Sequence, residues 1–112
     1  CRRFVKGAHY PCSYDFDNKG GILAHAFFPQ SGIIHFDDDE TFTHNSPLGT
    51  NLLSVAAHEI GHVLGLHHSS EPNSLMNAEY QGYVANLSLH SDDVDGIRYL
   101  YGESKLTNNR AE

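Results

Sequence analysis

His58, Glu59, His62, Gly65 and His68 are spaced as HExxHxxGxxH, and of all the residues in the chain these five say most about chemistry. In an α-helix four residues advance the chain by about 6 Å and turn it by about 400°, so His58 and His62 leave one face a turn apart and can share a metal ion. A catalytic zinc takes three protein ligands and keeps a fourth position open. On a continuous helix His68 would lie roughly 15 Å from His58, too far to be the third ligand. The helix is therefore expected to end at Gly65, because glycine enters a left-handed C-cap without a Cβ penalty and lets the chain turn His68 back to the metal. Glu59, beside the first ligand, is left free to act as a general base.

The element that must carry this set is a helix from Asn51 to Leu64. There Leu52, Leu53, Val55, Ala56, Ile60, Val63 and Leu64 follow helical spacing, no proline intervenes, and Thr50 is the expected N-cap. Ile22 to Phe28 reads as a strand bounded by Gly21 and Pro29, and Ile33 to Phe36 as a second. Their short connection makes them an antiparallel pair, and Phe4-Val5 reads as the tail of another strand. The stretch from His9 to Gly21 has no periodicity and is rich in loop formers. Asp37-Asp38-Asp39-Glu40 crowds like charges that are costly unless water or a cation screens them. Thr41 to Gly49 is a polar connection in which His44 is a surface residue, and His67 points away from the metal. Ser69 to Met76, with Pro72, is a loop. A last helix is expected after Ser91 as its cap, with Val94, Ile97, Leu100 and Tyr101 on one stripe and Asp92 and Asp93 favouring its N-terminus.

Composition bounds the rest. A chain of 112 residues, 39% hydrophobic, allows one domain with a modest core, and no apolar run is long enough to span a membrane. A net charge of −7 without a Lys/Arg patch argues against nucleic acid. The two cysteines, Cys1 and Cys12, cannot form a disulfide framework.

The chain's single methionine, Met76, follows His68 by eight residues in Ser74-Leu75-Met76. Together with HExxHxxGxxH this resembles the metzincin metallopeptidases, whose Met-turn floors the zinc site. The segments LAHAF and HFDDDE, at His25 and His35, narrow the resemblance to the matrixins, or matrix metalloproteinases. FVKGxHxxC and the short hairpin look most like the matrix metalloproteinase 21 branch. The resemblance implies an α+β metzincin fold, an antiparallel-edged sheet over an active-site helix, with residues 1–102 as the C-terminal two-thirds of a catalytic domain and 103–112 as a tail or linker. It implies a secreted, extracellular, zinc-dependent endopeptidase of matrix proteins, monomeric, with Glu59 as base and His58, His62 and His68 on the catalytic zinc. Its substrate would lie antiparallel to the strand at Leu23 and Ala24, with Val55 and Tyr80 lining the specificity pocket. The matrixin proline two residues before that tyrosine is Ala78 here.

The same resemblance implies a structural zinc on His25, His35 and His9. Matrixins follow the first histidine of that set with Gly-Asp, the Asp being the fourth ligand, whereas this chain has Tyr10 and Pro11. Cys12 or Asp15 is left to complete the set, against a Cys1–Cys12 disulfide or a free thiol. It further implies a calcium held by Asp17, Asp37 and Glu40 with the carbonyls of Asn18, Gly20 and Ile22. The family's second calcium loop is shortened to Ser31–Ile34, so no site is expected there. Two other readings remain: a non-catalytic zinc-stabilised interaction domain, and another metzincin of astacin or adamalysin type.

Overall fold

The sheet is the part of the structure that sets His25 beside His35. In the computed structural model, which describes residues 2–10 and 12–102, strand β1 (Arg2–Val5) lies parallel to β3 (Ile34–Asp37), and β2 (Ala24–Ala26) lies antiparallel on the other side of β3, giving the order β1-β3-β2. The sheet thus joins the expected hairpin to the strand indicated at Phe4-Val5, whose parallel pairing with β3 the sequence did not indicate. Phe4 brings β1 into register opposite Phe36, stacking on it at 5.0 Å between ring centroids. The expected strand Ile22–Phe28 contracts to Ala24–Ala26. Asp17 takes the N–H of Ile22 for its carboxylate, so that group is not available to a ladder. In the register of the β2–β3 pair His25 stands opposite His35.

A second, two-stranded sheet pairs β4 (Phe42–Thr43), inside what the sequence presents as a polar connection, in parallel with β5 (Thr50–Asn51), where the sequence places the cap and first residue of the helix. Helix α1 (Leu52–Val63) follows directly. Its N-cap is Asn51 rather than Thr50: the Asn51 side chain accepts from the Ser54 N–H at 2.9 Å. Val55 packs with Ile34 and Phe36 as the buried core, and Leu23, Ala26, Leu52, Ala56 and Val63 close around it. Val55, Ile34 and Phe36, the buried ones, each contribute about 1.5–3 kcal/mol on removal from water. The sheet covers one side of α1, so Leu53, Ile60 and Leu64 of the expected apolar stripe remain exposed.

The end of α1 has the form the motif requires. The Gly65 N–H donates to the His62 carbonyl and the Leu66 N–H to the Gly61 carbonyl, both at 2.9 Å, with Gly65 at φ +109°. This is the paired closure of a glycine-terminated helix.

Helix α2 (Ser91–Tyr101) is capped by His90, not Ser91. The His90 ring accepts from the Asp92 N–H at 3.1 Å, and Asp93 reaches back to accept the His90 N–H at 2.9 Å. No helix among the described residues is long and apolar enough to cross a membrane. Residues 103–112, expected as a tail or linker, lie outside the described residues, as does Cys1 with its alternative disulfide.

Candidate metal centre and cleft

Helix α1 and the turn after Gly65 bring the first histidine set together. The Nε2 atoms of His58 and His62 lie 3.1 Å apart, those of His62 and His68 3.1 Å, and those of His58 and His68 3.3 Å. Three nitrogens about 2.0–2.1 Å from one zinc in tetrahedral directions stand about 3.4 Å from one another, so the set fits that ion. The outer ring atoms agree. His58 Nδ1 lies 2.7 Å from the Leu75 carbonyl and His62 Nδ1 2.7 Å from the Leu66 carbonyl. A carbonyl can only accept, so each Nδ1 carries the proton and each Nε2 turns its lone pair to the shared point. Burial holds both imidazoles below the usual histidine range, favouring the neutral form a metal needs. His67, as read from the sequence, stays out of the set and packs against the ring of Phe28 at 4.5 Å.

Glu59 is 6% exposed, and its Oε2 has no hydrogen-bond partner. Burial raises its carboxyl to about 7. It lies between two cavities. The larger, about 460 Å³, is lined by His58, Glu59 and His68 together with Leu23, Ala24 and Val55, and extends to Tyr80. The smaller, about 360 Å³, is bounded by Ala24, Ala26, Phe28 and His67. All the residues expected to bind substrate therefore face one cleft. The Asn51 N–H donates to the Tyr80 hydroxyl at 2.8 Å, which ties the cavity wall to the start of α1 in a chain that has Ala78 in place of a stiffening proline. The sequence carried no signal for that bond, nor for Ser54, whose small side chain leaves the larger cavity room at the helix.

Beneath the histidines Met76 is 2% exposed. A Cβ placed on Gly61 would fall inside the van der Waals envelope of the Met76 sulfur, so the helix has to present a glycine there. The turn at Ser74–Met76 hangs on Asp93, of the two aspartates at the start of α2. Its carboxylate accepts from the Ser74 hydroxyl at 2.5 Å, the Leu75 N–H at 2.9 Å and the Met76 N–H at 3.1 Å, besides the His90 N–H. Burial by itself would raise this carboxyl, but the four hydrogen bonds outweigh it and hold Asp93 below its usual value. The chain Asp93, Leu75, His58 thus links α2 to the histidine set.

The other predicted groups fall in two places. His9, Cys12, His25 and His35 converge where His25 faces His35 in the middle of the β2–β3 pair. Asp15, the competing fourth ligand, is exposed and stands outside that group. The acidic residues gather at the loops following β1 and β3. Gly20 donates its N–H to the Glu40 carboxylate and Ile22 to Asp17, so in this loop both make contact through N–H groups. Asn18 holds φ at +69° in the same turn. Asp37 is wholly buried; one oxygen accepts from the Asp39 N–H at 3.0 Å and Oδ2 has no partner.

The family description Peptidase_M10, matrixin, matches residues 3–102. The chain is 57% identical over 89 residues to the hatching enzyme of Paracentrotus lividus, covering 80% of this chain and 15% of that protein. It is 49% identical over 111 residues to human matrilysin, 96% of this chain and 40% of the other, and 50% identical over 92 residues to human matrix metalloproteinase-19, 82% and 18%. The chain therefore spans well under half the length of these relatives. Identity is comparable across several matrixin branches, so it assigns the family and no branch of it, the matrix metalloproteinase 21 branch included.

Proposed function

The chain belongs to the matrixin family, and from that premise we propose that it forms the zinc-binding and substrate-binding part of a metalloendopeptidase that cuts internal peptide bonds of extracellular proteins. The observation that carries the reading is Glu59, a buried carboxylate with an unpartnered oxygen beside three convergent imidazoles at the mouth of the larger cavity. A residue kept for structure would have its polar atoms satisfied. This speaks for catalysis and against a purely zinc-stabilised interaction domain.

His58, His62 and His68 would hold the zinc, which when bound acidifies water and polarises a carbonyl. Glu59 takes a proton from the attacking water on Oε2 and gives it to the leaving amine. Burial, which raises this carboxyl, makes it a better base than an exposed glutamate. Strand β2 is the outer strand of its sheet, so its free edge can pair with an extended substrate backbone running antiparallel to it. The cavity edged by Val55 and Tyr80 then receives one apolar side chain of that substrate. Hydrolysis of a quenched peptide is expected to stop on treatment with 1,10-phenanthroline and to return on adding zinc. Cleavage that survives complete zinc removal would overturn the reading.

Calcium at Asp17, Asp37 and Glu40, with the carbonyls of Asn18, Gly20 and Ile22, is part of the same proposal. Its support is the buried, partnerless Oδ2 of Asp37, which an oxygen-seeking cation would satisfy. Millimolar calcium is expected to raise Tm, and Asp37→Asn to remove the increase. An equal calcium effect in the variant would exclude the site.

A further inference from the structure

Between Tyr80 and helix α2 the chain runs through a stretch without helix or strand, and that stretch contains Asn86-Leu87-Ser88. Of the asparagines in the sequence, Asn86 alone is followed two residues later by Ser or Thr with no proline between. An Asn-x-Ser/Thr triplet is the acceptor for N-linked oligosaccharide, and it belongs in a surface loop of a secreted protein. Three residues recur by chance, so the triplet alone is a weak signal. The structure supplies the context it requires. Asn86 stands in a bend, and both Asn86 and Ser88 are exposed. The carboxamides of Asn51 and Asn77 are engaged in the fold, the first capping α1 and the second bridging the Glu71 carbonyl and the Glu79 N–H. No hydrogen bond among the described residues engages that of Asn86 in this way. Leu87, between the two, is half-buried and lines the larger cavity together with Val84 and Ser88, which seats the loop against the cleft and leaves Asn86 outside the lining. The loop also shows water two apolar side chains, Val84 at 46% exposure and Leu89 at 57%.

We propose that Asn86 carries an N-linked glycan, set on the loop that walls the larger cavity. In the transfer Nδ2 of Asn86 forms a bond to the anomeric carbon of an oligosaccharide held on a lipid pyrophosphate. The lipid pyrophosphate leaves with the electron pair of the broken bond, and the amide gives one proton to the transferase, so nothing is oxidised or reduced. A glycan is bulky and water-soluble, and here it covers Val84 and Leu89. It also stands one residue from Leu87, in the lining of the cavity that receives a substrate side chain. An extended peptide fits beneath it, whereas a folded protein approaching the same cavity meets the sugar. The site rests on the extracellular setting of the proposed function, and its effect on substrates rests also on the peptidase reading.

The test uses the full-length protein, directed through the secretory route of animal cells by a leader and recovered from the medium. Peptide N-glycosidase is expected to release a glycan, and mass spectrometry to find aspartate where the sequence has Asn86. Asn86→Gln and Ser88→Ala should each abolish the modification, and Ser88→Thr should keep it. The serine-to-threonine result separates reading of the triplet from general damage to the loop. Glu59→Gln should be modified as fully as the parent, so occupancy is measured without reference to activity. Enzymatic removal of the glycan from the parent should then raise its rate on a folded protein substrate and leave its rate on a short quenched peptide unchanged. A secreted parent unmodified at Asn86 overturns the proposal, as does modification that persists in Ser88→Ala. Rates on the folded protein and the peptide that respond alike to glycan removal overturn its placement at the cleft. A protein that cleaves neither substrate, with the glycan in place, fails the peptidase reading and upholds the site.

Discussion

Glu59→Gln is expected to slow peptide hydrolysis by about a hundred- to ten-thousand-fold while leaving the zinc content of the protein unchanged. The amide has the volume of the carboxylate but no oxygen basic enough to take a proton from water. Because Oε2 of Glu59 has no partner in the fold, the substitution breaks no hydrogen bond of that atom, and it removes the cost of a buried charge. Thermal stability should therefore hold or rise, and loss of activity cannot be assigned to unfolding. The measurement pairs turnover of a quenched peptide with zinc analysis of the same preparation. Activity within ten-fold of the parent, with zinc in place, would remove Glu59 from the reaction.

Asp93→Asn is expected to be the most damaging substitution outside the cleft. The carboxylate accepts four hydrogen bonds, two on each oxygen. An amide presents one acceptor oxygen, and its N–H₂ group faces donors it cannot serve. Hydrogen bonds to a charged group are worth about 1.5–3 kcal/mol each, so losing two should cost roughly 3 kcal/mol or more. In a chain this size that lowers Tm by more than about 10 °C. Asp93 has a folded value below its ordinary 3.8. Its contribution is therefore complete above the unfolded value and is lost as pH falls through the folded one. The gap in unfolding free energy between parent and variant should accordingly be full at neutral pH and shrink once pH drops below about 4. A gap independent of pH would show that the charge is not what holds the turn. The variant should also bind zinc more weakly, because the carbonyl that orients His58 belongs to Leu75, whose own N–H has lost its partner.

The active helix was legible because its information is local. A four-residue spacing sets His58 and His62 on one face, and Gly65 states where the helix must stop. Pairing across distance was not legible in the same way. Strand β1 joins the sheet through residues more than thirty positions away, and nothing in Arg2–Val5 names that partner. The β4–β5 ladder is two residues long on each side, too short for periodicity to register. Both caps missed by one residue for a single reason. Adjacent side chains were each able to cap, and the choice fell to whichever the fold aims at the first turn: Asn51 because its side chain meets the Ser54 N–H, and His90 because Asp93 closes the box with it. The acidic pair before the last helix carried the right residues, but only the fold distinguishes Asp93, buried under Met76, from Asp92, which meets the Ser69 hydroxyl.

The contact between Gly61 and Met76 limits how this sequence can drift over generations. A side chain added at 61 first meets sulfur already in place, an overpacking cost of about 1–3 kcal/mol. A side chain shortened at 76 first leaves a void under the histidines, at about 2–5 kcal/mol. Either single step descends before the second can recover it, so the two positions form a fitness valley that is crossed together or not at all. Descendants of this chain should keep glycine and methionine as a linked pair, and the methionine would persist for its shape against the helix rather than for any reactivity of its sulfur.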